Sequence, residues 1–145
     1  MTINALDIFA DVEKAQTYDS AQYIEPGEFV FAVERLLLRP SSRDQRVFFI
    51  AELKVVESSR DDTPVGSTRS EIIDVSRAET GPSNVKRFAL ALGPDLTDDD
   101  VTKEDLAALV SDEQPAAGVK IRCEAWMITT RKGNPFTKKR WAYEG

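Results

Sequence analysis

The sequence predicts a mainly β domain, and three observations lead there. Five segments alternate apolar and polar residues with the period of two that sends successive side chains to opposite faces of a strand. Turn signals bearing proline or glycine separate most of them. Between the third and fourth segments, SNVKRFALALG keeps a helical period instead.

Residues 1–24 read as an N-terminal extension with a weak helical pattern in Leu6, Phe9 and Ala10, and residues 25–145 as the domain itself. Glu25-Pro26-Gly27 is a turn signal, and residues 28–38 form the first strand, with Phe29, Phe31 and Val33 on one face. After the turn Arg39-Pro40-Ser41-Ser42, residues 45–57 form the second. There Val47, Phe49, Ala51, Leu53 and Val55 point one way, and Phe48, Ile50, Glu52, Lys54 and Val56 the other. Residues 66–75 form a less apolar third strand. Pro82 and Ser83, a plausible N-cap, announce a helix in which Val85, Phe88, Ala89 and Leu92 share a face before Gly93 stops it. An acidic stretch, opened by Asp95 and closed by Glu113, holds a second short helix over residues 102–110, capped by Thr102 with Asp105 three residues later. Residues 119–131 form the fourth strand, with Ile121, Cys123, Ala125 and Met127 inward and Lys120, Arg122, Glu124, Trp126 and Ile128 outward. Lys132-Gly133-Asn134-Pro135 is a hairpin turn by composition, and residues 136–143 close the fold. Three strands, a helix and two strands match the five-stranded Greek-key barrel called the OB-fold, here with a short acidic helix before strand four.

Composition narrows the function. With 145 residues the chain suffices for one domain with its own core. There is no histidine, so the commonest general base and metal ligand is missing. The single Cys123 sits in an apolar-periodic run and reads as a buried small hydrophobe. No carboxylate pair lies in a catalytic or metal-binding spacing. A non-enzymatic binding protein that needs no cofactor or metal is expected. No apolar run is long enough to span a bilayer and the N-terminus carries no signal-peptide pattern, so a cytoplasmic protein without membrane contact is expected.

Net charge is −6, but it is unevenly spread. From Gly118 onward seven basic residues face two acidic ones, a local +5, while the first 117 residues carry −11. OB barrels hold single strands across strands two and three and under the loops joining strands one-two and four-five. The first of these loops and its flank offer Arg39, Arg43 and Arg46, and the mixed face of strand two offers Phe48 and Lys54. Trp126 on strand four, then Arg131, Lys132, Phe136, Lys138, Lys139, Arg140 and Trp141 around the hairpin, complete the candidate set. Aromatic faces stack on bases and cations neutralise phosphates. Within the hairpin, the Lys139–Trp141 face is expected to line the groove and the Phe136 face to point inward. The same residues also suit a lysine-guarded solvated edge, and the tryptophans suit a partly buried core. The acidic stretch suits a solubilising segment or a decoy that covers the basic groove.

The runs GEFVFAV, FFIAELKVVESS, PVGS, NVKRFALAL and TRKGNPFTKKRW resemble small bacteriophage single-stranded-DNA-binding proteins of the OB-fold class, over about residues 26–142. The resemblance implies sequence-independent binding of single-stranded DNA, a role in phage DNA replication or recombination, and self-association. Many such proteins end in an acidic tail that recruits partners. This chain ends in KKRWAYEG, and its acidity lies internally, at residues 95–113, which then become the expected docking segment for a replication or recombination partner. The competing expectations are a protein-interaction or virion structural module and an acidic DNA mimic. Convergence of Arg39, Arg43, Lys54, Lys132 and Lys139 on one concave face would favour nucleic acid, and scatter among carboxylates the interaction module.

Overall fold

Period-two alternation becomes five antiparallel strands in the computed structural model, which describes residues 23–41, 43–78 and 80–145. They are β1 (Gly27–Pro40), β2 (Val47–Ser58), β3 (Thr68–Asp74), β4 (Lys120–Thr129) and β5 (Pro135–Tyr143). The connection from β3 to β4 carries α1 (Thr80–Leu90), a 3-10 turn (Asp98–Asp100) and α2 (Lys103–Leu109). The helical pattern expected around Leu6, Phe9 and Ala10 lies outside the described residues.

The strands form one sheet in the order β3-β2-β1-β4-β5, with each neighbouring pair antiparallel. β4 returns by the long connection to lie beside β1, so β1 to β4 make a Greek key. The expected closed barrel is not what forms. Among the described residues the sheet is open, with β3 and β5 as its outermost strands. Arg69 and Glu71 point inward from the short β3, and a side-chain ion pair from Glu71, not a backbone ladder, spans the gap to β5.

β1 is the shared strand. Gly27 to Ala32 pairs with β4, while Phe29 to Pro40 pairs with β2. Register shifts at Val30/Phe31 and Val33/Arg35 bend it and bring Leu36 onto the core face with Phe29, Phe31 and Val33. Of the expected inward set of β2, Phe49, Ala51, Leu53 and Val55 pack there too, whereas Val47 at the strand's start is only partly buried; Ile73, Ile121, Cys123 and Ala125 join them. Cys123 is fully buried, and burial pushes its thiol up to about 12, so it holds its proton at neutral pH.

α1 covers one end of this core. It begins at Thr80, not after Ser83 as the proline suggests. Pro82 falls within the first turn, where backbone N–H groups have no intrahelical acceptor, so its missing donor costs little. Gly81 lies against the end of β3, where a Cβ would collide with the Asp74 carbonyl oxygen. Val85, Phe88 and Ala89 form the buried stripe, and Phe88 sits edge-on to Phe49 at 5.7 Å and to Trp141 at 5.0 Å.

α2 is capped as its sequence requires. Thr102 Oγ1 accepts from the Asp105 backbone N–H, and the Asp105 carboxylate accepts from the Thr102 N–H. The acidic connection is then tied to β1 by Gln114, whose side-chain amide accepts from the Leu36 N–H and donates to the Leu36 carbonyl, both at 2.7 Å.

Candidate nucleic-acid interface

The register of β5 against β4 decides which way each hairpin side chain faces. Ile121, Cys123 and Ala125 point into the core, and their partners Tyr143, Trp141 and Lys139 share that face. Trp126 pairs with Lys138, Ile128 with Phe136 and Glu124 with Arg140 on the opposite face. This reverses the expected assignment. Trp141 packs against Phe31 and Phe88 under α1, and Lys139 is turned inward to Glu71. Phe136, Lys138 and Arg140 face solvent. Trp141 is held inward by its ring contacts with Phe88 of α1 and Phe31 of β1.

β4 pairs with β1 only as far as Ala125. Beyond it, Trp126 to Thr129 and Pro135 to Lys138 form a two-stranded ribbon that runs past the sheet. Its tip is the expected turn, in which Gly133 takes φ +83°, a left-handed value that favours glycine, and donates to the Thr130 carbonyl at 2.8 Å. Arg131 and Lys132 are exposed there. No core of described residues lies behind the ribbon, and Met127 is about half exposed although it continues the inward row. On the outward face Phe136 is 52% exposed, Trp126 36%, and the Arg140 guanidinium lies 5.8 Å from the Trp126 ring centre. Arg140 also stands 3.8 Å from Glu124, both largely exposed. Such an exposed contact contributes little to stability.

Along the free side of β5 runs a cleft of about 830 Å³ whose other walls are the end of β3 and one stripe of α1. Glu71 and Lys139 lie in it, joined at 2.8 Å between Oε1 and Nζ. Burial pushes the Glu71 carboxyl above the usual carboxylate range, against the pull of Lys139. Asn84 and Arg87 line the cleft from α1, Arg77 from the β3–α1 link, and Lys138 and Arg140 from β5. Five cations therefore meet two carboxylates, Glu71 and Asp74, in a chain that is acidic as a whole.

The remaining candidates lie elsewhere. Arg39 lies in the last residues of β1, in register with Phe48, and Arg43 and Arg46 lie in the β1–β2 turn that follows, whereas the β4–β5 hairpin lies past the N-terminal end of β1. A 14-residue strand separates the two groups, roughly 40 Å if straight at about 3.3 Å per residue. At the turn, Arg46 pairs with Asp44 at 2.8 Å and covers the half-buried Phe48 ring at 5.4 Å. The Asp44 carboxyl is held below its ordinary value, chiefly because it accepts the Arg46 backbone N–H. Lys54 is exposed on β2 in register with Ala32, and so in line with Lys120 and not with the ribbon. Arg39, Arg43, Lys54, Lys132 and Lys139 thus do not converge on one concave face.

Of the set that does gather, Trp126, Phe136, Lys138 and Arg140 are legible in the sequence, whereas Arg77 and Arg87 across the cleft are not among its candidates. Arg87 lies in a helix whose sequence pattern is dominated by its apolar face. A local signal exists: Asn84 and Arg87, three residues apart, share a stripe beside the buried Val85 and Phe88. Arg77 carries no such signal, since only the path from β3 into α1 places it at the cleft. No family model matches the chain, and no curated protein matches it closely enough to count as a relative.

Proposed function

We propose that this protein binds single-stranded DNA without sequence preference, along the outward face of the β4–β5 ribbon. The observation that carries the reading is the pairing of Trp126 with Lys138 on a face that also exposes Phe136 and Arg140. Two accessible rings offer bases a stacking surface worth about 1–3 kcal/mol each, and the interleaved cations meet phosphates at the spacing of alternate strand residues. A paired duplex hides its base faces from such a surface, so the single strand is preferred. The chemistry needs no metal, cofactor or catalytic group. Element order and Greek-key connection support an OB-type reading of the fold, although the site proposed here lies on the β4–β5 ribbon and not across β2 and β3. A place in phage DNA replication or recombination rests on the sequence resemblance alone.

The scatter of the five other cations favours a second reading, a protein-interaction module whose exposed ribbon grips a partner polypeptide. A titration of labelled oligo-dT and of a matched duplex at two salt concentrations separates them. Tighter binding of the single strand, weakened by Phe136→Ala, is expected. Equal affinity for the duplex, or no binding at low salt, rejects the single-strand reading.

A further inference from the structure

We infer that the cleft between α1 and β5 is the second half of the binding surface, where Arg77 and Arg87 take phosphates of the strand held on the ribbon. This deepens the proposed function and rests on it. Lys138, at the base of the ribbon, and Arg140, two residues further along the same face of β5, also line the cleft, so a strand following these side chains over the free edge of β5 reaches the α1 wall. Arg77 and Arg87 are exposed on that wall, and neither makes an ion pair with a described residue. The Lys139 ammonium, in contrast, is engaged by Glu71 in the cleft floor. The net positive charge of the cleft therefore sits on its rims, Arg77 and Arg87 on one side and Lys138 and Arg140 on the other, offset in part by Asp74 in the lining and by Glu124, 3.8 Å from Arg140. A groove with charged rims and a neutralised floor suits a phosphodiester backbone, which carries its charge at regular intervals along a line. Asn84, between the two arginines on the cleft wall, adds an uncharged donor and acceptor.

The test compares three proteins binding labelled oligo-dT across a salt series: the unaltered chain, Arg77→Ala/Arg87→Ala and Lys138→Ala/Arg140→Ala. Each lost phosphate contact lowers the slope of log affinity against log salt by roughly 0.7 for a single strand. The α1 pair is expected to lower that slope by up to about 1.4 and to weaken low-salt binding at least about tenfold. Arg77→Lys/Arg87→Lys keeps most of the slope, which separates charge from a folding defect. Unchanged slope and affinity in the α1 pair, with both reduced in the ribbon pair, overturn the cleft while the ribbon reading stands. Failure of the unaltered chain to bind oligo-dT at low salt overturns both.

Discussion

Lys139 on β5 and Glu71 on β3 form an ion pair 2.8 Å long, and through it the two edges of an otherwise open sheet are joined by side chains. Glu71 is the more buried partner, with its side chain 9% exposed against 22% for Lys139. Taking a carboxylate out of water is costly, and the nearby ammonium recovers only part of that cost. The pair is therefore a latch whose removal from one side leaves a charge stranded. Lys139→Met is expected to destabilise the fold by about 3 kcal/mol at neutral pH, the low end of what breaking a buried pair costs. Chemical denaturation measures it, and an unchanged midpoint would show that the latch does not hold.

The same carboxyl sets a pH dependence. Burial raises its folded-state pKa above the ordinary value near 4.5, so the native chain binds this proton more tightly than the unfolded one. Its contribution is full below the unfolded value and is lost as pH rises through the folded one. Glu71→Gln cannot titrate and lacks that loss. Stability of Glu71→Gln relative to the unaltered protein should rise from pH 4 to pH 7, read from denaturation midpoints. A flat difference across that range would refute the raised pKa.

The two tryptophans are expected to separate stability from binding. Trp141 meets Phe88 at 5.0 Å and Phe31 at 6.3 Å, so Trp141→Ala opens the core and should cost about 3 kcal/mol. Trp126→Ala removes an outward ring and should change stability by less than about 1 kcal/mol. In binding the order reverses, with Trp126 supplying a stacking surface. Quenching of intrinsic fluorescence by oligo-dT should survive in Trp141→Phe and vanish in Trp126→Phe.

Cys123 should resist thiol reagents in the native protein. Its thiol is buried among core side chains and holds its proton up to about pH 12. Alkylation at pH 8 is expected to wait for opening of the sheet between β1, β4 and β5, and so to accelerate with sub-denaturing urea. Rapid labelling without denaturant would contradict this.

Asp98 and Asp99 should act on binding through charge alone. Both are exposed, whereas Asp100 closes its own turn by accepting from the Thr97 N–H at 2.7 Å and its hydroxyl at 3.0 Å. Asp98→Asn/Asp99→Asn is expected to tighten oligo-dT binding at low salt and to have no effect at high salt, where such charges are screened. Equal affinity at both ionic strengths leaves the segment a solubilising one.

Much of this architecture was legible before any tertiary contact was known. Period-two alternation located all five strands to within about two residues, because one buried face imposes that pattern locally. The Thr102–Asp105 cap and the Gly133 turn were equally local, each settled within a few residues of chain. The orientation of β5 was not. Phe136, Lys138 and Arg140 alternate with Thr137, Lys139 and Trp141, and both sets mix bulk with charge, so neither announces itself as the inner face. That choice was made by Phe88 and Glu71, which come from other elements and meet Trp141 and Lys139 only in the fold. The bulges in β1, the open sheet and the arrival of Arg77 and Arg87 beside β5 depend likewise on partners distant in sequence. Strands and helices are thus local properties of the chain, while the faces that meet, and so the cations and rings that share a surface, follow from packing between distant elements.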